Sequence, residues 1–293
     1  MGRVVDMMRD IAEFLMHSRT RALGLCAVFG ILPFVHWIGV VLVALIVLRR
    51  GTGEGALAFA CMAAPLVVWY VAGAGGIQDP TAIMSLVGTT ALAMVLRGTM
   101  SWEMTLGAAV LVGAVFGIGF EFLASDMLTE LVKFYMKLPK MMSQGVSEGD
   151  ARELLVGYIA MGQAYGMIVQ LILARWMQSL LYNPGGFQTE FHGLRLPKAL
   201  GVAILILMLA AMATGQVQYL RWLPVLTIPM FICAIGFVHW FVKQRKMDVG
   251  WLVGFYLLLI VMSEWLYPLV GSLALLDSWL DLRRRIGTPD NEV

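Results

Sequence analysis

Ten stretches of apolar residues, each ended by charges, glycine or proline, run through this chain. They lie near residues 21–35, 36–48, 55–73, 81–97, 102–124, 154–175, 199–215, 222–241, 250–266 and 268–282. About 20 apolar residues in a helix cross the roughly 30 Å hydrocarbon layer of a bilayer, where the backbone must satisfy its own hydrogen bonds. Hydrophobic residues make up 60% of the 293 and charged residues 14%, against roughly 45–50% and about 25% in soluble domains. The pattern predicts an all-α, polytopic helical membrane protein with 8 to 10 transmembrane segments, an even number. The six stretches between 55 and 241 are long enough to cross. The first two are parted only by Pro33 and His36, and the last two only by Tyr267 and Pro268. Each of these pairs reads as a tight hairpin or as one kinked span.

Charge placement chooses between them. The formal net charge is +2, which gives no reason to expect a nucleic-acid partner. With both termini cytoplasmic and both ambiguous stretches folded as hairpins, 16 of the 21 Lys and Arg fall on one side, as the positive-inside rule requires. A single span over 22–48 would send Arg3, Arg9, Arg19 and Arg21 outside, so the hairpin is preferred. The chain divides into an interfacial amphipathic helix (1–20), an N-terminal helical membrane bundle (21–124), an external amphipathic connector (125–152), C-terminal membrane helices (153–285) with a cytoplasmic loop at 183–198, and a polar tail (286–293). Asp6, Asp10 and Glu13 interrupt the first apolar residues, so 1–18 does not read as a cleaved signal peptide.

Polar side chains inside spans are costly and mark the places to look for a site. Gln163, Gly166 and Gln170 share one face of the segment 154–175, and Gly162 with Gly166 is a small-xxx-small pair that admits a close neighbour. The amides read as ligand contacts or as interhelical hydrogen-bonding groups. Glu264, before an expected helix break at Pro268, and Glu121, at the outer end of its span, are the acidic candidates. Ala109, Gly113 and Gly117 read as a packing seam, and Thr81, Ser85 and Thr89 as hydroxyls bonding their own backbone.

The loop NPGGFQTEFHGLRLPK carries Phe187, Glu190, Phe191 and Arg195, apolar and charged residues at helical offsets that read as a partner-docking surface. The histidines have no metal-ligand spacing. Cys26, Cys61 and Cys233 are far apart, and neither a G-x-S-x-G elbow nor a phosphate loop occurs. No enzyme activity, metal or cofactor is expected.

The stretch ARWMQSLLYNPGGFQTEFHGLRLPKA resembles the corresponding part of the YybS-like family of bacterial multi-pass membrane proteins of unknown function. That likeness implies the bacterial cytoplasmic (inner) membrane. More distantly, RALGLCAVFGILPFVHWIGVVLVALIVLRRGTGEGALAFA looks like the opening of the S components of energy-coupling-factor transporters. This second likeness implies an S-component-like N-terminal bundle with extra C-terminal spans, a ligand near the outer face, and a separate membrane coupler and ATPase as partners. It departs at the first helix, where Ala22 is followed four residues on by Cys26 rather than alanine. Two readings follow. One is a membrane protein that binds or transports a small molecule through Gln163, Gln170, Glu264 and Glu121. The other is a membrane scaffold, homo-oligomeric or partner-recruiting, acting through its cytoplasmic loop and interfacial helices.

Overall fold

A computed structural model describes residues 9–10, 12–14, 17–32, 34–73, 80–137 and 146–287. Among them there are helices and no strand. In chain order the helices are α1 (Arg19–Ile31), α2 (His36–Arg50), α3 (Thr52–Ala72), α4 (Thr81–Thr99), α5 (Trp102–Leu123), α6 (Ser125–Lys137), α7 (Glu148–Tyr182), α8 (Gly186–Gly193), α9 (Lys198–Thr214), α10 (Val217–Leu220), α11 (Leu223–Leu226), α12 (Ile228–Gln244), α13 (Gly250–Val261), α14 (Ser263–Leu280) and α15 (Leu282–Gly287). Most of the N-terminal segment expected as an interfacial helix, residues 138–145 of the connector and residues 288–293 of the polar tail lie outside the described residues.

Among the described residues five helical stretches are long and apolar enough to cross a membrane: α3, α4, α5, α7 and the run from α10 through α12. A sixth is added if α8 and α9, bent by 52°, form one span. The protein is therefore an all-helical membrane protein. Serines set two of the helix starts. Ser101 Oγ accepts from Met104 N, and Ser147 Oγ accepts from Asp150 N, each satisfying an amide that the first turn leaves open. Gly51, the single residue between α2 and α3, has φ 95° and ψ 178°, a backbone region open essentially to glycine alone.

The core is built around α2. Every residue from Gly39 to Leu48 is buried, so this helix is covered on all sides, by α1, α3, α4 and α7. At 15 residues it is about 22 Å long, short of the hydrocarbon thickness. The seam expected at Ala109, Gly113 and Gly117 is formed: all three are buried, and the two glycines of α5 face Ala164 and Ala160 of α7. Gly162 and Gly166 of the same α7 instead face open space. Another sequence expectation is corrected. The last hairpin breaks at Met262, not at Pro268, which lies inside α14. Pro268 costs the helix one hydrogen bond, from its missing N–H to the carbonyl four residues back, and the helix continues through it.

Polar contacts tie many of the helix ends into one layer. Arg19 of α1 pairs with Glu54 of α3 at 2.9 Å, Arg49 of α2 lies over the Tyr182 ring of α7, and Arg97 of α4 bonds the Leu48 carbonyl. Trp102 of α5 and Arg175 of α7 meet Glu190 of α8, and Lys243 of α12 meets Gln188. Arg283 of α15 reaches the carbonyls of His192 and Leu194. The start of α1 and the end of α2 thus share a level, the geometry of a hairpin. At the opposite end Arg221, beside α10, meets Glu153 of α7 and Glu121 of α5.

Candidate functional site

At the end where the cations gather, α7 reverses into α8. Asn183 and Pro184 leave the helix, Gly185 turns with φ 85°, and Ser179 pins the reversal. Its hydroxyl donates to the Asn183 carbonyl at 2.6 Å and accepts from the Phe187 amide at 3.0 Å. The turn brings Glu190 against Arg175. Nε and Nη2 of Arg175 donate to the two carboxylate oxygens at 3.0 and 2.5 Å, a forked pairing, and Trp102 Nε1 adds a third bond at 3.3 Å.

The remaining donors extend this cluster. Arg175 Nη1 donates to Gln178 Oε1 at 2.6 Å, and Gln178 Nε2 donates to the Leu48 carbonyl at 3.3 Å. Arg97 Nη1 donates to the same carbonyl at 2.5 Å, capping the C-terminus of α2 with a cation, where the helix dipole favours one. These groups line a chamber of about 410 Å³, walled by Leu48, Leu96, Met100 and Trp102 and carrying Arg97, Arg175, Gln178 and Glu190. A wider opening of about 960 Å³, bordered by Glu103, Gln188, Arg195 and Lys243, shares Trp102 and Glu190 with it. Two guanidinium groups against one carboxylate leave the chamber one positive charge, which suits an acidic solute.

Beside the chamber a second cluster locks α8 to the end of the chain. Asp277, almost fully buried, accepts from Arg283 Nε at 2.9 Å and lies 3.4 Å from Arg195 Nε; Arg195 Nη2 also pairs with Asp281 at 2.5 Å. Burial draws Arg283 down, against the opposing pull of Asp277, and its guanidinium lies over the rings of Phe237 and Trp240.

The side chains singled out in the sequence are placed as follows. Phe187 stacks on Phe191 and meets Trp102 edge-on, and Phe191 meets His239 edge-on. With Glu190 and Arg195 paired as above, the four residues read as a docking surface are engaged within the chain. Gln170 Oε1 accepts from Ser85 Oγ at 2.9 Å and from Thr89 Oγ1 at 2.7 Å. Ser85 and Thr89, two of the three hydroxyls expected to bond their own backbone, therefore join α4 to α7 instead. Glu121 lies between Arg152 and Arg221, at 3.7 and 3.6 Å, in a network with Glu153. Glu264 is exposed in the first turn of α14, without an ion-pair partner among the described residues. Gln163 is half-buried, and neither amide nor either acid lines the chamber or its opening.

The sequence pattern does not single out Arg97 and Arg175, which enter it only among the positive charges that set orientation, nor Asp277, which falls inside the last apolar stretch. Tyr267 also joins three helices, its hydroxyl 2.7 Å from that of Tyr165 and 2.6 Å from Thr227 Oγ1. Among the described residues no three His, Cys, Asp or Glu side chains come together as metal ligands.

Gln170→Ala is expected to destabilise the protein by about 0.6–1.7 kcal/mol, the span for one interhelical hydrogen-bonding group in a membrane bundle. Thermal unfolding in detergent measures it. Loss of solute binding without loss of stability would show that the amide serves a ligand instead.

Comparison of the chain with protein-family models, with curated proteins and with solved structures gives no match.

Proposed function

We propose that this chain is a multi-pass protein of the bacterial cytoplasmic membrane that binds a small acidic solute in the chamber between α4, α5, α7 and α8. In this reading it has 8 to 10 crossing segments and both termini on the cytoplasmic side. The observation that carries the proposal is the chamber itself: Arg97, Arg175 and Glu190 set in an enclosure of about 410 Å³ with apolar walls. A carboxylate ligand meets there the geometry that Glu190 already occupies on Arg175, together with the second cation of Arg97. The gathering of Arg19, Arg49, Arg97, Arg175, Lys243 and Arg283 toward one end supports placing that end on the cytoplasmic side. The internal engagement of Phe187, Glu190, Phe191 and Arg195 favours solute binding over docking through the loop.

The likeness to energy-coupling-factor S components supports a binding role but implies a ligand at the outer face. The chamber lies at the other end, so a coupler and ATPase are not part of this proposal. The test is a thermal-shift screen of the purified protein against small carboxylates, followed by Arg97→Gln. A stabilising solute is expected, with its affinity reduced about tenfold or more in the variant. Absence of any stabilising acid, or a shift that survives both Arg97→Gln and Gln178→Ala, overturns the proposal.

A further inference from the structure

Beside the wider opening of the chamber lies a second cavity, of about 530 Å³, between α8, the end of α12 and α15. Lys243, Arg195, Arg283 and His192 line it with Gln244 and Trp240, and no carboxylate is in its wall. The nearest acids, Asp277 and Asp281, stand behind it on Arg283 and Arg195. Arg283 gives three of its five N–H donors to Asp277 and to the carbonyls of His192 and Leu194, so it adds mainly its charge. Arg195 Nη2 and Nε face the two aspartates, which leaves Nη1 free of them. Among the described residues Lys243 Nζ bonds Gln188 Oε1, which leaves two of its three donors.

Two placements add to the charge. Trp240 and Lys243 occupy the last turns of α12, and an aromatic ring followed by a lysine marks the headgroup level of a span. Arg245 and Lys246 follow directly, and Arg284 and Arg285 continue from Arg283. A basic cavity between helix ends at that level recognises a phosphate group.

We infer that this cavity is a phosphate-binding site, lined by Lys243, Arg195, Gln244 and His192, which takes the phosphodiester of an anionic lipid headgroup or free phosphate. It shares Gln188, Arg195 and Lys243 with the wider opening, but neither Arg97 nor Arg175 lines it.

Native mass spectrometry of the detergent-purified chain with phosphatidylglycerol and, separately, phosphatidylcholine tests the lipid source. Thermal shifts in sodium phosphate against sodium chloride of equal ionic strength test the free anion. The expected result is retention of phosphatidylglycerol about tenfold over phosphatidylcholine, lost in Lys243→Glu and kept in Lys133→Glu, which makes the same charge change on α6. Lys243 is exposed, so its reversal is compatible with folding, and Gln244→Glu repeats the test at a neighbouring exposed position. Stabilisation by phosphate alone, abolished by Lys243→Glu, also supports the site and assigns it to the free anion. Equal retention of both lipids with no effect of phosphate overturns the proposal. So do equal effects of Lys243→Glu and Lys133→Glu.

Discussion

Asp277→Ala is expected to cost the protein about 3–5 kcal/mol, the range for removing one partner of a buried ion pair. The side chain of Asp277 is 2% exposed, and that of Arg283 is 11% exposed. Without the carboxylate, the guanidinium of Arg283 stays buried among Phe237 and Trp240 with only carbonyl partners. The Arg283 amide, which donates to Asp277 Oδ1 at 3.3 Å, also loses its acceptor. The effect is local before it is global: Arg283 holds the His192 and Leu194 carbonyls, so α8 and its junction with α9 loosen first. Asp277→Asn keeps an acceptor and costs less. Asp277→Leu combined with Arg283→Met removes the buried charge but leaves the His192 and Leu194 carbonyls without their donor, so it recovers only part of the loss. Thermal or denaturant unfolding of the detergent-purified variants measures this series. A loss below about 1 kcal/mol for Asp277→Ala would remove the pair from the account of stability.

The second large effect is a contrast within one helix. Gly157 of α7 lies so close to the Arg221 backbone that an added Cβ would collide with the Arg221 carbonyl oxygen, an atom that cannot swing aside as a side chain does. Gly157→Ala is expected to destabilise by about 2–3 kcal/mol, as overpacking does. Gly162→Ala and Gly166→Ala, where a methyl group meets nothing within 4 Å, are expected to be neutral or to stabilise by up to about 1 kcal/mol through helix propensity. Unfolding of the three variants under one condition reads the difference directly. The reverse order would mean that α10 and α11 do not lie against α7.

Helix ends were readable in the sequence where charges or glycine interrupt apolar runs. Arg97 and Gly98 stand in the last turn of α4 and Ser101 opens α5, each close to the expected limit, whereas α7 runs on past residue 175 to Asn183. The burial of α2 was not readable. VVLVALIVL is apolar on every face, and a lipid-facing helix is equally apolar, so composition does not separate core from lipid surface in a bilayer. The break at Met262 carries no glycine or proline, whereas Pro268, which does carry that signal, lies inside a helix. The chamber failed to appear for a different reason. Arg97, Leu48 and Gln178 are brought together across separations of 49 and 130 residues, and Glu190 reaches Arg175 only because α8 folds back. Pairing of Gln170 with Ser85, 85 residues away, is equally invisible to local pattern, although the amide itself drew notice as a costly group in a span.

The burial of α2 has a consequence for how the chain is assembled. Its covering helices α4 and α7 follow it in sequence, and α7 begins 98 residues after α2 ends, at Glu148 against Arg50. A ribosome delivers α2 to the membrane well before α7 exists, so this helix spends its first moments against lipid or insertion machinery and moves inward only when its later neighbours arrive. Order of synthesis and order of burial are therefore reversed for the most central element of the fold. A truncated product ending before Glu148 leaves α2 uncovered on the α7 side, a substrate for membrane quality control rather than a smaller working protein.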